Sequence, residues 1–289
     1  MPLNNLLKEK APFLTHSQRK LMEYILSHED ESIFLNIGDL AKRVNVSEAT
    51  VVRLSKALGF IGFPEFQKEL RLLFRNRLST TSRLQKTVKR VTNEGDVLVK
   101  VLQTDIENIT GTLKQTSIEE FRQFIKTIDS AERIIIAGLR SAYSLAIFFG
   151  IALEFMQKNV WVIQPGIGDM WDRMVGLRKG DLIIGISFPR YTRETVEIFR
   201  FAKTKGVTTL AITDSLLSPL GQYADHVLTA QYKTDSFIES FTAPLSLINA
   251  IVTALGVNNK KSTMKSLKEL ERVWESQHIF YNTAKIKNR

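Results

Sequence analysis

Two short runs hold most of the side chains that could do chemistry on a small molecule: AGLRSAYS at 137–144 and SFPRYTRET at 187–195. The first sets Gly138, Arg140, Ser141 and Ser144 at the end of the apolar run RIIIAG; the second sets Ser187, Arg190, Tyr191 and Thr192 at the end of DLIIGIS. At a strand-to-helix turn, free backbone N–H groups, the positive end of a helix dipole, hydroxyls and a guanidinium all favour an anion. The chemistry expected of these loops is therefore binding. Acid–base work on a small molecule needs a group within hydrogen-bond reach of the reacting atom, and neither loop contains histidine. Glu194 is the one candidate base, yet an acid in the first turn of a helix is also favoured simply by the dipole. Each arginine has an alternative partner in a structural carboxylate such as Glu154, Asp169 or Glu194. With no cysteine and only His16, His28, His226 and His278, neither thiolate zinc nor a spaced metal-ligand set is expected, and no cofactor is implied.

A second constellation lies in IGDLAKRVNVSEATVVRLSKALGF, residues 37–60. Ile37, Leu40, Ala41, Val44, Val46, Val51, Leu54 and Leu58 recur at the spacing that packs two helices across a tight turn, with Ala41 small at the approach. Ser47 suits the cap of the second helix, which leaves Glu48, Ala49, Thr50, Arg53 and Lys56 on or beside its exposed face. The N-terminal half of such a helix can enter a DNA major groove. Arg53 would then grip guanine O6 and N7, Thr50 a base edge or thymine methyl, and Lys56 a phosphate. The charge distribution agrees: residues 1–90 carry 16 Lys and Arg against 9 Asp and Glu, and the remainder 24 against 21. A basic amphipathic helix pair with no nucleic-acid role would have the same periodicity.

The elements that position these groups fall into two textures. SQRKLMEYILS, with Ser17 as its expected cap, IGDLAKRV, SEATVVRLSKAL and PEFQKELRLLFRN read as four helices closing near Arg77. Residues 78–95 are polar and basic and read as a linker or exposed helix start. VLVKVLQTDIENITGTLKQT is helical by period, and SIEEFRQFIKTI opens on Ser117 and Glu120 at capping-box spacing. From Arg133 the chain alternates strands (RIIIAG, VWVIQ, DLIIGIS, VTTLAIT, HVLTA) with helices, and several strands are apolar at consecutive positions, as strands buried on both faces must be. That pattern predicts a doubly wound parallel sheet whose ligand sits at the strands' carboxyl ends. SFIESFTAPLSLINAIVTAL, opened by Glu239 and Ser240, reads as a buried packing or dimer helix. No stretch reaches the apolar length of a membrane span, and a cytoplasmic protein is expected.

Leu14-Thr15-x-Ser17-Gln18-Arg19, Leu40-Ala41-x-x-Val44, Val46-Ser47-x-Ala49-Thr50-Val51-x-Arg53, Lys56-x-Leu58-Gly59-Phe60 and Gly62-Phe63-x-x-Phe66 closely resemble the RpiR/MurR family of sugar-responsive transcription regulators. The resemblance implies an RpiR-type helix-turn-helix domain followed by a sugar isomerase (SIS) domain. The expected organisation is a multidomain chain: an all-α DNA-binding domain at 1–77, a linker and connecting helix at 78–122, an α/β SIS domain at 123–263, and a C-terminal helix and tail at 264–289. The partners it implies are a double-stranded DNA operator, a small anionic sugar effector (a phosphosugar or a sugar acid), and further copies of the chain in a homodimer or homotetramer. The second loop departs from the SIS pattern Ser-x-Ser-Gly-x-Thr-x-Glu. Aligned on Ser187, Thr192 and Glu194, Pro189 replaces the second serine and Arg190 the glycine, while Arg140 stands where the first loop commonly has glycine. Fixed positive charge thus replaces flexible backbone. Two other readings compete: a sugar-phosphate isomerase fused to a DNA-binding domain, and a SIS domain serving only as a dimerisation scaffold.

Overall fold

The computed structural model describes residues 13–28, 32–77, 80–89, 91, 93–164, 166, 170–216 and 218–281. Among the described residues the N-terminal head contains the helices α1 (His16–Ser27), α2 (Ile37–Val44), α3 (Glu48–Ala57) and α4 (Phe63–Arg77). Leu21, Ile25, Leu40, Val51, Leu54, Leu58 and Phe66 form its core, all inaccessible to solvent. The cap of α1 is Thr15, not Ser17: the Thr15 hydroxyl accepts from the Gln18 N–H and the Gln18 side chain accepts from the Thr15 N–H, a reciprocal capping box. Both lone donors at the helix start are satisfied that way, and Ser17 is left exposed. The turn from α2 to α3 reverses at Asn45 in the left-handed region (φ 56°), and α3 ends on Gly59 (φ 89°).

The segment expected as a linker is largely helical: α5 (Thr80–Val88) and the long α6 (Glu94–Gln115) precede α7 (Ile118–Ser130). The polar stretch at 80–88 has little apolar periodicity because α5 docks through polar side chains, Arg83 onto Glu239 and Thr87 onto the Asp235 carbonyl, while α6 is the helix that its period predicts. Ser117 caps α7 by accepting from the Glu120 N–H (3.3 Å). The Glu120 carboxylate does not return the bond. It accepts instead from the Val227 N–H (3.2 Å) and lies 3.1 Å from His226 Nδ1, fastening α7 to a strand.

The second domain is a five-stranded, all-parallel sheet in the order β2-β1-β3-β4-β5, formed by β1 (Arg133–Gly138), β2 (Val160–Val162), β3 (Asp181–Ile186), β4 (Thr208–Thr213) and β5 (His226–Thr229). Its helices are α8 (Tyr143–Glu154), the short α9 (Met170–Met174), α10 (Arg193–Thr204), α11 (Thr242–Asn258) and α12 (Lys260–Ser276). Alternate side chains divide between two cores. Ile134, Ile136, Leu182, Ile184 and Leu210 pack under α7, α8 and α11. Ile135, Ala137, Ile183 and Ala211 pack against Ile198, Phe199 and Ala202 of α10. This two-sided burial explains the unbroken apolar runs of β1 and β3. At their amino ends Arg133 forks onto buried Asp181 (3.1 and 2.5 Å). Burial pushes the Asp181 carboxyl up, but the bonds from Arg133 and the Arg178 N–H outweigh it and hold it below the ordinary carboxylate value. The strand order reverses between β1 and β3, so the carboxyl ends of these two strands flank a topological switch point, where ligands of such sheets bind. Among the described residues no helix is long and apolar enough to cross a membrane.

Candidate functional site

In the head, α3 presents Ser47, Glu48, Ala49, Arg53 and Lys56 to solvent. Thr50 is not among them, contrary to its expected place at the exposed face: it is 8% exposed. Its hydroxyl lies 2.9 Å from that of Ser47, and Arg53 donates to it over 3.3 Å. Ser47 also caps the helix by accepting from the Thr50 N–H (3.2 Å). One short polar chain therefore ties the cap to the guanidinium, and Thr50 orients Arg53 where sequence reasoning gave it a base contact of its own. Glu48, Ala49, Arg53 and Lys56 form the outward face that a groove could meet.

In the second domain the two loops converge. A cavity of about 510 Å³ opens at the switch point, with Arg140 and Ser141 from the loop after β1, and Ser187, Arg190, Tyr191 and Thr192 from the loop after β3. Gly138 and Ser144 are not in its wall. Gly138 is a packing residue, since a Cβ there would fall 2.8 Å from the Ala142 carbonyl oxygen and 3.0 Å from Ala146 Cβ. Ser144 donates to the Ser141 carbonyl (2.8 Å), one turn into the helix start. The Tyr191 hydroxyl donates to Asp214 (2.7 Å), so its phenol is held at the rim by a second strand end.

Arg140 and Arg190 both stand in left-handed backbone, at φ 57° and 71°. For an L-residue this conformation costs about 1–2 kcal/mol, and glycine escapes it. The two loop positions where the resemblance puts glycine are thus positions that need glycine's backbone geometry, and this chain has arginine at both. Among the described residues neither guanidinium is in a salt bridge with a carboxylate. Glu154 and Glu194 are therefore not their partners; Asp169 lies outside the described residues. Thr192 precedes α10 without a side-chain capping bond, and the helix directs its amino end, with Arg193 and Glu194, at the cavity.

Part of the wall had no sequence signal. Phe237, Ile238, Glu239 and Phe241 close one side, and Thr80 reaches in from α5. The apolar helix expected to open at Glu239 and Ser240 starts only at Thr242; the residues before it form an irregular strap. Glu239 accepts a 2.8 Å bond from Arg83 of α5, both side chains being nearly buried (12% and 9% exposed). Thr87 of α5 donates to the Asp235 carbonyl (2.8 Å). On the other side, Tyr191 meets Phe34 of the head edge to face, with ring centroids 5.5 Å apart. The cavity thus touches the head through Tyr191 and the connector helix α5 through Thr80 and Glu239.

Comparison with known proteins agrees with this division. Residues 1–76 match the helix-turn-helix domain of the rpiR family, and residues 127–254 match the SIS domain. An uncharacterized HTH-type transcriptional regulator of Haemophilus influenzae is 29% identical over 222 residues, 74% of this chain and 75% of its own. The sugar isomerase domain of an RpiR transcription factor from Sphaerobacter thermophilus is 32% identical, with a TM-score of 0.59, and the match covers 60% of this chain and 97% of that one. The Vibrio vulnificus NanR protein, solved in complex with ManNAc-6P, shares the whole two-domain fold: TM-score 0.66, 20% identity, 98% of this chain and 100% of that one.

Proposed function

The chain belongs to the RpiR family of helix-turn-helix transcription regulators with a SIS domain, and from that premise we propose that it reads an operator through α3 and is governed by a phosphorylated or carboxylated sugar bound in the switch-point cavity. The observation that carries the effector reading is the pair Arg140 and Arg190. Two strands end at the cavity, each followed by an arginine in costly backbone, and strain of that kind persists where surrounding structure or function requires it. Ser141, Ser187 and the amino end of α10 supply hydroxyl and N–H donors beside the two guanidinia. Arg53, steadied by Thr50, reads a base edge, Lys56 meets phosphate, and Ser47, Glu48 and Ala49 complete the docked face.

The reading extends to a regulator in place of an isomerase: no histidine lines the cavity among the described residues. The protein acts in the cytoplasm as a homodimer or homotetramer on a pseudo-palindromic site, two heads meeting successive major grooves about 34–36 Å apart. Signal passes along the two contacts of the cavity wall, from Tyr191 to Phe34 and from Glu239 to Arg83. A ligand that prefers one arrangement of those contacts shifts the heads by its differential affinity, commonly about 1–3 kcal/mol.

Thermal unfolding against a panel of sugar phosphates and sugar acids tests this. One class should raise Tm by linkage, and Arg190→Ala should remove that shift while leaving operator affinity in the absence of ligand unchanged. A flat response across the panel would leave a scaffold domain. Steady interconversion of a panel sugar seen by NMR, and abolished by Glu194→Gln, would make the protein an enzyme.

A further inference from the structure

Helix α6 buries the wrong face for an ordinary amphipathic helix. Toward the domain it turns polar groups. Thr104 donates to the Asp235 carboxylate (2.6 Å), Asn108 exchanges two bonds with the backbone of Lys233 (2.7 and 3.1 Å), and the Thr112 hydroxyl accepts from the Gln231 N–H (2.9 Å). Asp105 accepts from the hydroxyls of Ser240 and Thr242. Asn108 and Thr112 are buried in this contact. Bordering it on the solvent side run Leu98, Leu102, Ile106, Ile109 and Leu113, between 38% and 77% exposed. At 3.6 residues per turn the five occupy an arc of about 80° and about 22 Å of helix.

The stripe cannot be turned inward without breaking the bonds that fasten α6 to the strap behind the cavity. A contiguous aliphatic face is seldom left in water by a protein that works alone, and such a face marks an interaction site.

We propose that α6 pairs antiparallel with α6 of a second copy of this chain, about a twofold axis passing beside Ile106. The inference rests on the self-association proposed above. Two features of the helix select this occupant. First, the stripe is self-complementary under that symmetry: Leu98 falls opposite Leu113 of the partner subunit, Leu102 opposite Ile109 of the partner subunit, and Ile106 beside its own symmetry mate. Second, the charges agree. Glu94 and Asp96 stand in the first turn and Lys114 in the last, so antiparallel pairing lays the acidic end of each helix over the basic end of the other and opposes the two helix dipoles. Parallel pairing would set acid on acid. Because α6 directly follows the connector, the seam fixes how far apart the two heads can stand, and because its polar face holds Asp235 and Ser240 of the strap, it lies one hydrogen-bonded layer from the effector cavity.

The 289 residues contain no cysteine, so a single introduced cysteine can cross-link only to its own copy. Under mild oxidation Ile106→Cys should give a disulfide-linked dimer, whereas Gln103→Cys, exposed on another side of α6, should not. In parallel, light scattering after size exclusion should show a dimer for the parent and a monomer for Leu102→Asp combined with Ile109→Asp, with unchanged far-ultraviolet circular dichroism. A folded double variant that stays dimeric overturns the seam while leaving self-association intact. A monomeric parent at micromolar concentration defeats both and points the stripe to a different protein. If the double variant does not fold, the cysteine pair decides: cross-linking at 106 no faster than at 103 overturns the proposal.

Discussion

The head and the sensor domain both contain non-glycine residues in left-handed backbone, and they fill those positions in opposite ways. Among the described residues of the head, the left-handed positions are Asn45, at the turn between α2 and α3, and Gly59, at the end of α3. These are the residue types that enter that region at least cost. At the two loops that wall the second domain's cavity the same geometry is imposed on Arg140 and Arg190, whose Cβ atoms incur the penalty. The head needs only a rigid turn there, so selection for stability is unopposed. On the function proposed above, the sensor needs charge at the carboxyl ends of β1 and β3, and conformational comfort gives way to electrostatics.

That contrast is sharpest at the DNA face, where the head's own arginine is held without backbone strain by the chain Ser47, Thr50, Arg53. Arg53→Ala should cost about 1–3 kcal/mol of operator affinity and flatten sequence preference, measured by fluorescence anisotropy on matched and mutated sites. Thr50→Val keeps the guanidinium and loses its tether, and should cost about 1 kcal/mol or less. A uniform loss across sequences with a shallower salt slope would move Arg53 from base to phosphate. Equal losses from both variants would make Thr50 a contact in its own right.

The turn itself gives a smaller effect. Asn45→Ala should destabilise the head by about 1 kcal/mol, because alanine gains nothing locally in left-handed backbone, whereas Asn45→Gly should stay within a few tenths. Denaturant melts of the two variants provide the measurement. An alanine variant as stable as the parent would erase the distinction between head and sensor, since the geometry would then be inexpensive everywhere.

Legibility in the sequence follows the same division. The head was readable because its core is local: Leu40, Ala41, Val44, Val51, Leu54 and Leu58 sit on two adjoining helices, and their spacing encodes the packing. The sheet was readable because burial on both faces leaves an unbroken apolar mark in β1 and β3. Six of the eight expected ligand residues line one cavity for the simple reason that residues following parallel strands share one edge. Thr80, Glu239 and the strap were illegible, because they reach the cavity across more than 40 residues of chain and through polar docking that has no period. Thr50 was misplaced because helical spacing locates a Cα, while the hydrogen bonds to Ser47 and Arg53 decide where its side chain points. For Glu120, the capping-box pattern was satisfied in sequence, but β5 offered its carboxylate a better use.

Paired substitutions at the two sensor arginines separate charge from strain, and theirs is the smallest effect expected on stability. Arg190→Ala removes the guanidinium and keeps the Cβ, so the backbone penalty stays and apo Tm should hardly move. Arg190→Gly removes both. Relief of about 1–2 kcal/mol is opposed by about 0.5–1 kcal/mol of added unfolded-state entropy, which leaves a net gain between zero and about 1.5 kcal/mol, at most a few degrees in Tm. Arg140→Gly should behave alike. Effector response should fall in every one of these variants. A glycine variant less stable than its alanine counterpart would show that the arginine side chains hold the loops together, and the account of strain retained for ligand charge would fail at that position.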